Sequence, residues 1–210
     1  MRRSLVIGKT NVGKTLFCVH FAKYLGIREL HWLVERAGGS TEDLKMTVEE
    51  AERTLSGPVA HRTREMQSIR MSFPRGKGIR ELLLTDSTGL TDGVHPEATV
   101  REAMAQTLEA LVGSTLVLHL VDAYDLGRAF AGETSQVSRE SPLSEIDLQI
   151  SKFAAQRNGY VVLANKIDLP GAEAGYRKLK ERLPGLTVIP ISALHQTGFR
   201  EVKQHVWRMV

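Results

Sequence analysis

The chain has 210 residues, of which 42% are hydrophobic and 25% charged, and its formal net charge is +4. This length fits one domain, and the composition excludes a disordered chain, a collagen-like repeat and a disulfide scaffold. The single Cys18 cannot form an internal disulfide, and no stretch approaches the roughly 18 apolar residues of a membrane helix. We therefore expect a cytoplasmic protein with neither DNA nor a membrane as partner.

Short apolar runs alternate with helical patterns along the chain. The predicted strands are 4–7, 66–73, 79–85, 115–121, 160–164 and 186–191. The predicted helices cover 13–25, about 40–57, a segment from Pro96, a segment from Ser144, a segment around Leu179 and a segment from Phe199. This alternation predicts an α/β fold of three layers, with a six-stranded, mostly parallel sheet between helices. The hairpin of the second and third strands adds one antiparallel edge strand.

The segment 40–57 is predicted to be helical because its apolar residues recur at helical spacing. These residues are Leu44, Val48, Ala51 and Leu55. Either Ser40 with Asp43 or Thr47 with Glu50 would supply the capping box at its start. The segment 124–142 is polar and contains glycine and serine, so we predict a long surface loop there.

The segment that follows the first predicted strand matches the pattern G-x-x-x-x-G-K-[ST] and opens a predicted helix. Glycines let a backbone wrap closely around phosphate, and a helix N-terminus favours its negative charge. Lys14 can reach the β- and γ-phosphates of a nucleotide, and the Thr15 hydroxyl can bind Mg²⁺. The candidate phosphate-binding residues are Gly8, Asn11, Val12, Gly13, Lys14 and Thr15.

A second group of polar residues follows the predicted strand 160–164 and indicates which base is bound. The Asp168 carboxylate can accept hydrogen bonds from guanine N1–H and from the N2 amine, a pair of donors that adenine lacks. The Asn165 amide can meet the O6 and N7 side of guanine, and the Lys166 stem can cover the ring. After the last predicted strand, guanine O6 can be met by backbone N–H groups of Ser192, Ala193 and Leu194.

A D-x-x-G pattern, from Asp86 to Gly89, follows the predicted strand 79–85. Asp86 can hold Mg²⁺, and the Gly89 N–H can contact the γ-phosphate. A plain strand-to-helix turn would give the same pattern. The position of this tetrapeptide between the phosphate-binding segment and the guanine residues favours the functional interpretation.

These four segments stand in the order and spacing of the G1, G3, G4 and G5 motifs, and the chain resembles the translation-factor-related small GTPases, most closely the Era-like group. The resemblance covers essentially all of 1–210, which we expect to form a single G domain. It implies GTP and Mg²⁺ binding, hydrolysis of GTP to GDP, and a switch between two shapes. Members of the group often serve ribosome assembly or RNA modification, so it also implies a protein or ribonucleoprotein partner.

The resemblance further implies a threonine in switch I that meets Mg²⁺ and the γ-phosphate. Thr41, Thr47 and Thr54 lie in the predicted helix, which cannot follow the phosphate, so we choose Thr63. The tripeptide centred on Thr63, Arg-Thr-Arg, resembles the Thr-Thr-Arg of Era-like proteins. The acidic helix predicted over 40–57 is then an insertion in switch I that covers the site, contacts a partner or decorates the surface.

Leu90 stands where Ras-like proteins carry a glutamine that orients the attacking water. Leucine forms no hydrogen bond, so we expect slow hydrolysis unless a partner or K⁺ assists. Era-like relatives with an asparagine at the position of Asn11 often bind K⁺ through it. The alternative is that Asn11 simply tolerates the backbone angles of the loop. The catalytic candidates are Lys14, Thr63, Gly89 and Asn11, and the metal candidates are Thr15, Thr63 and Asp86.

Two functional hypotheses therefore stand side by side. The first is a GTPase that signals its nucleotide state to a partner. The second is a GTP-binding interaction module with little or no turnover. Four basic residues on the predicted hairpin could meet RNA phosphates, but we favour protection of an exposed sheet edge. These residues are Arg70, Arg75, Lys77 and Arg80.

Overall fold

The computed structural model describes residues 2–35, 41–55, 66–75, 78–132, 143–157 and 159–209. The strands are β1 (Arg2–Ile7), β2 (Glu29–Glu35), β3 (Thr41–Thr47), β4 (Met66–Arg75), β5 (Gly78–Asp86), β6 (Leu116–Asp122), β7 (Tyr160–Asn165) and β8 (Val188–Pro190). The helices are α1 (Lys14–Tyr24), α2 (Val48–Leu55), α3 (Ala98–Gly113), α4 (Ala123–Ala131), α5 (Glu145–Ala154), α6 (Ala172–Arg182) and α7 (Phe199–Met209).

The strands form one sheet in the order β3-β2-β4-β5-β1-β6-β7-β8. The five strands from β5 to β8 in this order run parallel, whereas β2, β3 and β4 pair in antiparallel fashion. The predicted α/β class with a mostly parallel sheet is confirmed. The prediction of six strands is wrong, because the described residues alone contribute eight strands to the sheet.

The two additional strands form a hairpin, β2–β3, between α1 and β4. In β2 the buried residues alternate with more exposed ones, and Leu30, Trp32 and Val34 face the core. This period of two is typical of a half-buried strand. Every residue of β3 is at least partly exposed. The strand is joined to β2 by a ladder of backbone hydrogen bonds, and the half-buried Met46 packs against the core.

The predicted helix over 40–57 is therefore partly wrong, since residues up to Thr47 are strand and the helix begins at Val48. Leu44 is an exposed residue of β3, so its helical spacing from Val48 was coincidental. The capping box formed by Thr47 and Glu50 is present: the Thr47 N–H donates to the Glu50 carboxylate at 2.8 Å, and the Glu50 N–H donates to the Thr47 hydroxyl at 3.2 Å.

The hairpin β4–β5 lies inside the sheet rather than at its edge. β4 pairs with β5 on one side and with β2 on the other, and Arg70 stands opposite both Leu83 and His31. The prediction of an antiparallel edge strand at this place is wrong, because β3 forms that edge. Protection of an edge therefore does not explain Arg70.

The segment 124–142 is not simply a surface loop, since α4 occupies its first part. The Asp122 carboxylate caps this helix by accepting from the N–H groups of Tyr124 and Asp125. Helix α4 packs closely on α6 at two glycines: a Cβ on Gly175 would lie 1.9 Å from the Ala123 carbonyl oxygen. Residues 133–142 lie outside the described part.

The core consists of two apolar layers, one on each face of the sheet. Helices α1, α2 and α7 cover one face, where Phe17 and Phe21 stack at 5.3 Å and Phe199 meets both rings edge-on. Residues of α3, α4, α5 and α6 cover the other face. The predicted helices on both faces are confirmed. Within the described ranges, no helix has the length and apolar character needed to cross a membrane.

Candidate nucleotide-binding site

The candidate site lies where parallel strands of the sheet end. The phosphate loop (residues 8–15) follows β1, Asp86 is the last residue of β5, and Asn165 is the last residue of β7. Ser192 follows β8. In open parallel sheets the carboxyl ends of the strands form the usual ligand crevice. The fold thus brings the predicted phosphate, metal and guanine residues to one edge.

Lys14 opens α1 and its side chain folds back over the phosphate loop. Its ammonium donates to the Lys9 carbonyl at 2.8 Å and to the Gly8 carbonyl at 3.2 Å, and the residue is only 6% exposed. Burial lowers the pKa of Lys14, while the nearby Asp86 carboxylate opposes that shift. The loop therefore holds a desolvated cation at the place predicted for the β- and γ-phosphates.

Two of the three predicted metal ligands, Thr15 and Asp86, are in direct contact. The Thr15 hydroxyl donates to one carboxylate oxygen of Asp86 at 2.5 Å, and the other oxygen, Oδ1, is buried without a partner among the described residues. Burial raises the pKa of Asp86 to about 6, although Lys14 and the Thr15 hydrogen bond oppose this rise. A hydroxyl and a carboxylate, one oxygen of which is buried and unsatisfied, fit a hard cation such as Mg²⁺.

The segment after Asp86 packs directly on the phosphate loop. The Leu90 N–H donates to the Gly8 carbonyl at 3.2 Å, and a Cβ on Gly89 would lie 2.8 Å from the Thr10 Cα. Glycine is therefore required at this close approach. Leu90 is fully buried, and its apolar side chain carries no hydrogen-bonding atom.

Asn165 joins the phosphate half of the site to the guanine half. Its amide nitrogen donates to the Val12 carbonyl at 2.7 Å, and its amide oxygen accepts from the Ala193 N–H at 2.9 Å. The residue is buried. Its predicted contact with guanine remains a prediction; what the structure shows is that the side chain fixes two loops relative to each other.

The three backbone N–H groups predicted to donate to guanine, those of Ser192, Ala193 and Leu194, differ in their hydrogen-bond partners. The Ser192 N–H donates to the Thr197 carbonyl, and the Ala193 N–H donates to Asn165. The Leu194 N–H, in contrast, has no hydrogen-bond partner among the described residues.

Lys166 and Asp168 lie in the turn after β7. Lys166 adopts a left-handed backbone conformation (φ 66°), and its ammonium forms an ion pair with Asp122 at the end of β6. The Asp168 side chain is 23% exposed, with the nearest ion-pair partner, His195, 3.9 Å away. Asp168 thus retains acceptor capacity for a base.

Two further candidates stand apart from these contacts. Asn11 is in the left-handed region with φ 63°, which agrees with a conformational role and leaves its predicted K⁺ contact untested. Thr63 lies outside the described residues.

The sequence analysis missed two residues that support the site. Asp122 holds Lys166 and caps α4; its signal was a carboxylate directly after a buried strand. His20 contacts the Ala193 carbonyl, and no pattern in the sequence indicated this, because its partners are distant along the chain.

Comparison with known proteins places this geometry in a fold class. No protein-family model matches the chain. A stretch of 127 residues, 60% of the chain, is 30% identical to the GTPase Obg of Brevibacillus brevis, where it covers 27% of the protein. The chain thus spans about a quarter of the length of this curated relative.

Solved structures cover almost the whole chain. The chain is similar to Era in complex with MgGDPNP and a segment of 16S ribosomal RNA, with a TM-score of 0.60 and 16% identity over 99% of this chain and 56% of that one. It is also similar to the G domain of the T. maritima FeoB iron transporter, with a TM-score of 0.54 and 17% identity over 100% and 98%. The chain has the fold of a P-loop GTPase G domain. Era is one of several such structural neighbours. Their likeness shows the fold of the chain, and it does not distinguish the Era-like group from other GTPases with this fold.

Proposed function

We propose that this chain binds GTP and GDP with Mg²⁺, hydrolyses GTP to GDP and acts as a nucleotide-dependent switch. The observation that carries the proposal is the junction at Asn165, which ties the phosphate loop through Val12 to the guanine loop through Ala193. A nucleotide has its phosphates and base at a fixed separation. A side chain that holds the two loops together sets the distance between their binding sites.

In this proposal each half of the site has defined tasks. The phosphate loop offers backbone N–H groups and the Lys14 ammonium, while Thr15 and Asp86 hold Mg²⁺, which neutralises phosphate charge when bound. Asp168 selects guanine, and the Leu194 N–H meets O6. Thr63 is proposed as the switch I threonine and Gly89 as the residue that senses the γ-phosphate.

Hydrolysis is expected to be slow without assistance. Leu90 is buried and forms no hydrogen bond from its side chain, so it cannot orient a water molecule. We propose K⁺ beside Asn11 as one source of assistance and a partner as the other. A cation near the β- and γ-phosphates offsets charge that develops in the transition state.

The burial of Leu90 also favours a second candidate function, a GTP-binding interaction module with little turnover. A single-turnover assay with GTP, in KCl and with or without cell extract, separates the two. Hydrolysis above the nonenzymatic rate supports the GTPase, and a background rate in every condition supports the module. Failure to bind GTP or GDP in the presence of Mg²⁺ would refute both.

The partner is proposed to be a protein or ribonucleoprotein, with a role in ribosome assembly or RNA modification. The support is the likeness to the Era structure, which holds a segment of 16S ribosomal RNA, and to GTPase Obg. Capture from extract with the chain loaded with a nonhydrolysable GTP analogue, compared with GDP, tests this. Ribosomal RNA or ribosomal proteins enriched only with the analogue would support the role; equal recovery would contradict a switch.

A further inference from the structure

A chain of polar contacts connects the inserted helix α2 to the guanine loop through one imidazole ring. His20 lies on α1 and is only 7% exposed. Its Nδ1 is 2.7 Å from the Ala193 carbonyl oxygen, and its Nε2 is 3.1 Å from Glu52 Oε1 on α2. Lys23 donates to the same Glu52 oxygen at 2.8 Å.

The direction of these contacts follows from the partners. A carbonyl oxygen only accepts, so His20 Nδ1 carries the proton and donates it to Ala193. The hydrogen bond from Lys23 lowers the pKa of Glu52, so this residue is a carboxylate at neutral pH. Glu52 contacts the other ring nitrogen, Nε2, at 3.1 Å, so the imidazole ring lies between Ala193 and Glu52.

The Ala193 carbonyl and the Leu194 N–H belong to the same peptide group. Such a group is planar and trans, so its C=O and N–H point in opposite directions. A carbonyl held toward α1 by His20 therefore forces the Leu194 N–H to point away from α1. Asn165 fixes the preceding peptide group through the Ala193 N–H, so both peptide planes around Ala193 are set by side chains.

We propose that His20 is a positioning residue for guanine recognition, which aims the Leu194 N–H at O6, and that Glu52 of the inserted segment holds His20 in place. This inference rests on the proposed binding of guanine nucleotides. It gives the insertion between α1 and β4 a specific task, because a movement of α2 would change the orientation of a donor to the base.

The test measures base selectivity rather than affinity alone. The probes are GDP and 6-thio-GDP, which keeps N1–H and the N2 amine but replaces O6 with sulfur, a weak acceptor. The wild-type chain with Mg²⁺ is expected to prefer GDP. In His20→Ala this preference falls by about fivefold, the value of one ordinary hydrogen bond. Glu52→Ala, which keeps the imidazole but removes its contact with α2, changes the preference in the same direction by a smaller factor.

Glu49→Ala is the matched control, since it removes an exposed carboxylate from the same helix, α2, without removing a contact of His20, Glu52 or the guanine loop. Its selectivity is expected to stay at the wild-type value. Equal weakening of GDP and 6-thio-GDP in both His20→Ala and Glu52→Ala would overturn the inference, because a purely structural ring predicts that result. A wild-type chain that binds both nucleotides equally well would overturn it too. Absence of any GDP binding would instead refute the proposed function itself.

Discussion

Replacing Asp86 with asparagine separates the stability of the fold from its ability to bind metal. The carboxylate is 1% exposed, and its Oδ1 has no partner among the described residues. Asparagine keeps an oxygen that can accept from Thr15 but removes the buried charge. We expect Asp86→Asn to stabilise the nucleotide-free protein at neutral pH and to abolish Mg²⁺-dependent nucleotide binding.

The magnitude follows from the raised pKa. Burial raises the pKa of Asp86 from 3.8 to about 6, and this rise corresponds to about 3 kcal/mol of unfavourable free energy when the group is ionised. The attraction to Lys14 is already contained in that value. Well below the unfolded-state pKa of 3.8 the group is protonated in both the folded and unfolded states, so it costs nothing. The cost grows as the pH rises and is complete above about pH 6.

Urea unfolding in EDTA at pH 7.5 and pH 5 measures this contribution. The variant should gain up to about 3 kcal/mol at pH 7.5 and clearly less at pH 5. Asp43→Asn, at an exposed position of β3, is the control and should change stability by less than about 0.5 kcal/mol. A variant that is less stable than wild type at pH 7.5, or a gain that does not depend on pH, would refute the reasoning.

Three further predictions concern the other parts of the site. Asp168→Asn should weaken GDP binding and shift the preference toward xanthine nucleotides in a competition assay, since an amide offers the donor that xanthine requires; unchanged preference would remove Asp168 from base recognition. Gly89→Ala should lower stability by about 1–3 kcal/mol in thermal unfolding, because its Cβ meets the backbone of Thr10. Hydrolysis by the wild type should be faster in KCl than in NaCl at equal ionic strength, and Asn11→Gly, which keeps the left-handed backbone, should lose that difference. Equal wild-type rates in the two salts would contradict the K⁺ proposal.

The parts of the fold that could be predicted are those where hydrophobic pattern and turn chemistry agree. Strands β1, β6 and β7 are buried apolar runs, and each is followed at the site edge by polar residues. The β2 strand carried a readable signal in the alternation of Leu30, Trp32 and Val34, but the neighbouring helical spacing obscured it. The β3 strand carried none, because an exposed edge strand is defined by backbone pairing and not by side-chain pattern.

The sequence predicted which segments of the chain form the candidate site, but not the hydrogen bonds between those segments. Motif spacing located Lys14, Asp86 and Asp168, and the structure places all three where parallel strands of the sheet end. The contacts of Asn165 and His20 with the Ala193 loop depend on loops that converge only in the folded chain. Hydrogen bonds between such distant residues leave no local pattern in a single sequence.

Without nucleotide, the polar groups of the predicted guanine half already have hydrogen-bond partners, whereas those of the predicted phosphate half do not all have them. In the guanine half, Asn165 has both a donor and an acceptor partner, and the Ser192 loop is held by Thr197 and His20. A buried amide that lost these partners would cost about 1–3 kcal/mol, so this half keeps its shape without ligand. In the phosphate half, Asp86 retains an unsatisfied oxygen, and burial disfavours the charges of both Asp86 and Lys14. Under the proposed function, Mg²⁺ and phosphate would supply the opposite charges that this half lacks, so the metal and phosphate should contribute more to the stabilisation of the fold by a nucleotide than the base does.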